Sequence, residues 1–297
     1  MDTCEECGGT VAPDGRCWEC GRPQTGFRAR VEVGADGGGA AGVSDRGRVR
    51  EINADAMVVA VSGRWTVAVV CDGVSMAPRS DRAARLAAEV GAAATAEALR
   101  AGALPELALA EGARRAGRSV ARLAGDLAGD SRLAGDRAPN SLPTNDPAPH
   151  SRPADDPAPH PSPDLPPACT YVAAVVAPDG FWCAWIGDSR AYWIPDEGPG
   201  SLLTEDDAGA DEVLTAWLGA GAGEPVPRIR SLRPSGPGRL LLCTDGLWRY
   251  FPDIAALRAR TRSRTSLTDA RALVAHALDL GGADNVTAVL LPVPGAT

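Results

Sequence analysis

Asp72 and Asp245 each close an apolar run, Val67-Ala68-Val69-Val70-Cys71-Asp72-Gly73 and Leu240-Leu241-Leu242-Cys243-Thr244-Asp245-Gly246, and each is followed at once by glycine and another apolar residue. A carboxylate at the end of an apolar strand is costly unless it is paired or bound to a cation. Asp188, in Gly187-Asp188-Ser189-Arg190, and Asp284, in Asp284-Asn285-Val286-Thr287, share that placement. The other Asp-Gly pairs, at Asp14, Asp36 and Asp179, sit in ordinary turn settings. The chain has no lysine, which removes Walker-type, kinase and Schiff-base chemistry together. Its three histidines include two, His150 and His160, in a proline-rich tract, and the third, His276, lacks a nucleophile signature, so a Ser-His-Asp mechanism has almost no raw material. Four strand-end carboxylates then point to hard divalent cations held by oxygen. Two such ions can activate a water and clamp a phosphoryl group.

A second, softer constellation opens the chain. Cys4, Cys7, Cys17 and Cys20 form C-x2-C-x9-C-x2-C. Two knuckles of this spacing supply the four thiolates of a tetrahedral zinc site, and a segment so short would draw its folding free energy from the metal. Residues 1–25 carry five acids and two arginines, a balance unsuited to a phosphate backbone, so the ribbon is expected to bind protein and not nucleic acid. Cys71, Cys169, Cys183 and Cys243 stand singly in apolar runs and read as small buried hydrophobes.

The elements that must position the carboxylates come from the period of the apolar residues. Strands are expected at 39–43, 56–62, 65–71, 169–177, 181–186, 190–194, 228–232, 239–243 and 286–291. Ala-rich helices are expected at 79–100 and 104–123, and a third after a capping box at Ser266-Leu267-Thr268-Asp269, stopped by Gly281-Gly282. Ala177-Pro178-Asp179-Gly180 reads as a hairpin turn. Strands, a helical pair, strands and helices in that order indicate an α+β layered domain. Residues 124–167 repeat Leu-Ala-Gly-Asp and Asp-Pro-Ala-Pro-His with few large apolar residues, and read as a disordered insertion. A net charge of −8 argues against coating nucleic acid or anionic membrane. An acidic N-terminus without an apolar signal core, and no run of 18 apolar residues, read as a cytoplasmic chain. The Ala, Gly, Arg, Asp and Pro usage matches a GC-rich bacterial genome.

In order along the chain, residues 44–55 (SDRGRVREINAD), Cys71-Asp72-Gly73, Gly187-Asp188-Ser189-Arg190, Cys243-Thr244-Asp245-Gly246 and Asp284-Asn285-Val286-Thr287 resemble the motifs of bacterial type 2C metal-dependent serine/threonine protein phosphatases, over about residues 40–292. The resemblance implies two antiparallel β-sheets packed as a sandwich flanked by helices, with a site for two Mn²⁺ or Mg²⁺ at one end. It implies a zinc ribbon at 1–25 and a phosphatase domain at 26–297 that hydrolyses phosphoserine and phosphothreonine in protein substrates of a Ser/Thr kinase system. By position, Asp72 would bridge both ions, the Gly73 carbonyl would ligate one, and Asp245 and Asp284 would complete the other. Asp55 would act through coordinated water, Arg50 would grip the phosphate, and Asp188 matches the acid that helps hold a third ion. Two positions depart from the family pattern: Ala54 stands where a Glu usually precedes Asp55, and Val74 where many eukaryotic members have a general-acid His. Ala54 motivates an alternative, a catalytically weak or inactive phosphatase fold acting as phospho-sensor or scaffold. A short flap is expected between Tyr192 and Trp217.

Overall fold

The computed structural model describes residues 4, 6–9, 11, 15–17, 19–22, 24, 26, 28–35, 39–128, 142–143, 165–209, 213–263 and 265–295, with backbone only at 125–128 and 142–143. Alternating small and β-branched residues build two antiparallel sheets. One holds six strands: β1 (Arg30–Gly34), β2 (Ala41–Asp45), β7 (Arg190–Pro195), β8 (Ser201–Leu202), β10 (Gly238–Cys243) and β11 (Val286–Val293), in the order β1-β2-β11-β10-β7-β8. The other holds β3 (Ala56–Ser62), β4 (Trp65–Cys71), β5 (Tyr171–Ala177), β6 (Gly180–Ile186) and β9 (Arg228–Leu232), in the order β9-β6-β5-β4-β3.

Period-two alternation divides each strand between two packing layers. Ala68, Val70, Val172, Ala174, Phe181, Cys183 and Trp185 face the six-stranded sheet, where Leu240, Leu242, Val289 and Leu291 meet them. Val67, Val69, Tyr171, Ala173, Val175 and Ala184 face outward onto α1 (Ser80–Arg100) and α2 (Pro105–Ala128). Leu241, Val286, Ala288 and Leu290 turn the other way, onto α5 (Ser266–Asp279) and the short α4 (Ile254–Ala259) that follows the single turn α3 (Asp245–Trp248). The result is a four-layer helix–sheet–sheet–helix stack. Glycine lets α1 lie close on β5 and α2 cross close on α1: a Cβ on Gly91 would lie 2.6 Å from the Tyr171 hydroxyl, and one on Gly112 would overlap Thr95 Oγ1 and lie 2.8 Å from the Gly91 carbonyl oxygen.

Several expected boundaries shift. The helix expected at 104–123 runs on to Ala128, so the insertion does not begin at 124. Most of it lies outside the described residues, apart from Leu142–Pro143, whose backbone pairs with Val213–Leu214, and residues 165–167, where Leu165 packs beside Leu214 and Trp217. The strand expected at 169–177 is broken at Thr170: Ala168–Cys169 pairs with Leu218–Gly219, and β5 starts at Tyr171. The helix cap moves one residue upstream, because Thr265 and not Ser266 is the N-cap and its hydroxyl accepts from Thr268 N at 3.3 Å. Asp269 instead accepts from Ser263 N and pairs with Arg239. Gly281 and Gly282, with φ of 129° and 52°, end that helix as expected.

Candidate metal centre

Register places the strand-end acids at one end of each sheet. Ala56 faces Cys71 across β3–β4, so Asp55 and Asp72 emerge side by side. In the other sheet Cys243 faces both Arg190 and Ala288, which brings Asp188, Asp245 and Asp284 to the same edge. The two edges meet: Asp72 feels the charges of Asp55, Asp245, Asp284 and Asp188 together. Burial, then these neighbours, pushes its carboxyl well above the usual range. Burial likewise raises Asp188 to about 8, with Asp245 and Asp206 adding to the rise. Burial raises Asp284 to about 6 against the opposing pull of Arg50.

Asp55 shows why this cluster asks for a cation. Its Oδ2 accepts from Thr244 Oγ1 at 2.8 Å and from Thr287 Oγ1 at 2.7 Å. Two hydroxyl donors to a charged acceptor return about 3–6 kcal/mol together, which at best matches the several kcal/mol that desolvating an ionised carboxylate costs and leaves the repulsion of its acidic neighbours uncompensated. The acid is pushed up to about 7, by burial first and then by Asp284 and Asp245, while the two threonines oppose the rise. Among the described residues its Oδ1 is buried with no hydrogen-bond partner, and so is Oδ1 of Asp245. Orphaned carboxylate oxygens among mutually repelling acids fit hard divalent cations, whose ligands are oxygens.

The surrounding groups fix backbone more than charge. Arg50 is the main counter-charge: its Nε and Nη2 donate to Asp284 Oδ1 and Oδ2 at 2.8 and 2.6 Å, a planar fork on a carboxylate. Arg249 Nε donates to Asp245 Oδ2 at 3.1 Å. Trp248 Nε1 donates to the Asp188 carbonyl, and the Arg190 guanidinium lies 3.5 Å over the Trp248 ring while pairing with Asp206. Asn285 Oδ1 accepts from Ala54 N, and its Nδ2 donates to the Arg46 and Ile52 carbonyls, so the loop bearing Arg50 is pinned to the loop bearing Asp284. Gly73 has no room for a side chain: a Cβ would lie 2.6 Å from the Ser80 carbonyl oxygen and 2.8 Å from that of Ala54.

At the other end of the chemical scale, all four ribbon thiols lie within 4.8 Å of one another. Each knuckle closes the same way. Gly8 N donates to the Cys4 carbonyl and Gly21 N to the Cys17 carbonyl, with both glycines left-handed at φ of 73° and 72°. The backbone N–H groups of Cys7 and Glu6 hold the Cys4 thiol down at about 6. Burial pushes Cys17 up to about 12. Such a set of sulfurs suits Zn²⁺.

With this geometry in hand, the comparisons with known proteins decide the family: the protein phosphatase 2C model matches residues 44–279. The chain belongs to the protein phosphatase 2C family. Solved structures of similar fold include the PPM Ser-Thr phosphatase MsPP from Mycobacterium smegmatis in complex with cacodylate, at 25% identity and a TM-score of 0.60, covering 86% of this chain and 97% of that one. The serine/threonine phosphatase Stp1 from Staphylococcus aureus matches at 18% identity and TM-score 0.64, over 86% of this chain and 95% of its own. The catalytic domain of the serine threonine protein phosphatase PstP, in complex with two manganese ions, matches at 23% and TM-score 0.54, over 89% and 99%. No curated protein matches the sequence.

For this 2C-family chain, Arg50, Asp55, Asp72, Gly73, Asp188, Asp245 and Asp284 therefore gather at one end of the sandwich. Thr244, Thr287, Asn285 and Asn53 belong to the same site and were not singled out from sequence. All four lie inside the motif segments quoted above, Asn53 two residues before Asp55, Thr244 beside Asp245, and Asn285 and Thr287 in Asp284-Asn285-Val286-Thr287, but no role was read for them. His276 lies away from the acids, its ring against Phe251 and its Nδ1 2.9 Å from Arg260 Nη2. Cys71, Cys169, Cys183 and Cys243 are buried in the core, as expected of small hydrophobes. Among the described residues no helix is long and apolar enough to cross a membrane.

Proposed function

We propose that the chain is an active, metal-dependent phosphatase on phosphoserine and phosphothreonine in proteins, working in the cytoplasm of a bacterium opposite a Ser/Thr kinase system. The observation that carries this reading is the pair of orphaned buried oxygens, Asp55 Oδ1 and Asp245 Oδ1, within a carboxylate cluster that also holds Arg50. Asp72, the Gly73 carbonyl, Asp245 and Asp284 would hold two Mn²⁺ or Mg²⁺, with Asp55 acting through water and Asp188 helping to hold a third ion. When bound, such ions supply an activated water and neutralise the phosphoryl charge. The residues of the chain do the rest. Arg50, whose fork is turned onto Asp284 here, would present its donors to the phosphate oxygens once a cation shares Asp284, and its place beside Asp284 keeps it at the cluster. Thr244 and Thr287 hold Asp55 in one orientation through its Oδ2. Val74, in place of an imidazole, leaves the departing seryl oxygen to take its proton from water.

The chain divides, in this reading, into a ribbon at 1–25 holding one structural Zn²⁺ and a phosphatase domain at 26–297. The acidic ribbon docks a protein partner. Ala54 motivates the second reading, a phosphatase fold that binds phosphoproteins without turning them over. One assay separates them: Mn²⁺-dependent hydrolysis of p-nitrophenyl phosphate and release of phosphate from a phosphothreonine peptide. Activity that rises with Mn²⁺ supports the enzyme. Phosphopeptide binding with no turnover at any Mn²⁺ concentration sinks it in favour of the sensor.

A further inference from the structure

Hydrogen bonds tie the ribbon's sulfurs to Gln24, and a second set ties Arg28 and Ala29, four and five residues further on, to the carboxylate site. Gln24, buried, donates from Nε2 to Cys4 Sγ at 3.3 Å, and its backbone N–H donates to the Gly15 carbonyl between the knuckles. Four residues on, Arg28 is left-handed at φ 51°, a conformation that a non-glycine residue keeps only where its neighbours hold it. Two groups hold it here. Arg46 N donates to the Ala29 carbonyl at 2.7 Å, and Asn53 Nδ2 donates to the Arg28 carbonyl at 3.3 Å.

Asn53 is the joint. Its Nδ2 also donates to Ser44 Oγ at 2.9 Å, and its Oδ1 accepts from the backbone N–H of Asp55 at 3.2 Å. The partners fix the amide's orientation, because a flip would set its oxygen against the Arg28 carbonyl and its NH₂ against the Asp55 N–H. Ser44 Oγ in turn meets Thr287 Oγ1 at 2.8 Å, the same hydroxyl that donates to Asp55 Oδ2. Asp55 is thus gripped at its backbone by Asn53 and at its carboxylate by a hydroxyl that Asn53 reaches through Ser44. Gly15, Arg16 and Gln24 of the ribbon and Asn53, Asp55 and Met57 of the domain line one shared cleft.

We propose that Asn53 is a positioning residue that ties zinc loading of the ribbon to the affinity of the carboxylate site for its divalent cations. The inference rests on the reading that the thiols hold zinc and the acids hold Mn²⁺ or Mg²⁺. With zinc bound, the exit segment is ordered and Asn53 is held against Arg28, which fixes the loop and the Asp55 oxygens. With the ribbon empty, Asn53 loses that anchor and the loop loosens.

The test uses the full chain in four forms: wild type, Cys4→Ser/Cys20→Ser, Asn53→Ala, and the combination. Zinc content is measured by metal analysis, Mn²⁺ binding by the electron paramagnetic resonance signal of free Mn²⁺, and amide hydrogen exchange is followed over residues 50–56 and, as a reference, over β10. The Cys variant should lose its zinc, bind Mn²⁺ about tenfold more weakly, the scale of changes around metal ligands, and exchange faster at 50–56 but not in β10. Asn53→Ala should keep its zinc and show the same weakening. The combined variant should be no weaker than either parent, since both break one path. Zinc-free protein with wild-type Mn²⁺ affinity and wild-type exchange at 50–56 overturns the inference alone, as do effects that simply add. Wild type that takes up neither metal overturns it together with the reading of the site.

Discussion

Four thiols drawn from seventeen consecutive positions and five carboxylates drawn from positions 55 to 284 are assembled by different means. The ribbon sulfurs that meet are 10 and 16 residues apart, and the knuckles around them close through backbone bonds of their own glycines. The bonds that hold Asp55 close loops of 189 and 232 residues. Going from 16 to 232 residues costs about 2 kcal/mol more in closure entropy, and the core supplies it. Strands β4, β10 and β11 are almost wholly buried up to the acids they carry. The described residues of the ribbon form no such core, and a zinc bound by its thiols would supply its folding free energy. The carboxylates are placed by the strands that carry them.

Asp72→Asn or Asp245→Asn sharpens that contrast most. Either should remove phosphatase activity by more than the about 10–100-fold that changes outside the ligand set cost. The metal-free melting temperature should hold or rise, because a buried repelling charge is gone. Near wild-type turnover in either variant would refute the assignment of the acids. Stripping zinc with a chelator does the reverse: circular dichroism of the domain should persist while residues 4–24 lose hydrogen-exchange protection. Joint melting of both regions would break the comparison.

Protons offer a subtler probe. Asp55, Asp188 and Asp284 are raised to about 7, 8 and 6, whereas an unfolded Asp sits near ~3.9. The folded metal-free protein therefore binds more protons than the unfolded chain between about pH 4 and 8, and its stability falls as pH rises through that window. Mn²⁺ expels those protons, so its affinity should climb with pH and level off above about 8. Melting curves with and without Mn²⁺ at pH 5 and pH 8 check the sign; an equal shift at both values contradicts it.

Ala54 gives a smaller effect. It is buried, with its N–H held by Asn285 and its carbonyl against Gly73. Ala54→Glu should lower the Mn²⁺ concentration for half-maximal rate by about tenfold and change the saturated rate less; an unchanged Mn²⁺ requirement would mean that water already fills that place. Smallest of all, excising residues 130–163 should leave turnover of a small substrate nearly unchanged, since only Leu142–Pro143 of that stretch is described in contact with the body. Insoluble protein would show a larger role in packing.

The long strands were legible because β3, β4, β5 and β6 are near-continuous apolar runs bounded by turn residues, β5 and β6 being buried at every position. Asp72, Asp188, Asp245 and Asp284 were legible because each stands at the end of an apolar strand, whereas Asp55 came only through the family resemblance. Strand β1 was not: Arg30-Val31-Glu32-Val33 lies at a sheet edge with no fully buried residue, so its alternation carries little apolar signal. The helix α4 is six residues with one buried leucine, too short for a helical period to show. Ser44 and Thr287 act on partners 243 and 232 residues away and Asn53 on Arg28, 25 residues away, and nothing in their local spacing records that.

The crossing of α1 and α2 at Gly91 and Gly112 bears on the acids from a distance. Helix α1 starts where the Ser80 carbonyl abuts Gly73, and Gly91 lies about 16 Å further along its axis by helical rise. Tyr171 fills the notch at Gly91 and Thr95 the one at Gly112, so the helix is indexed like a shaft on a pin and has no freedom to slide. Its near end is the stop against which the Asp72-Gly73 turn rests. A methyl group added at Gly91 would therefore be felt as a change of height at the catalytic end, by a residue that touches none of the chemistry.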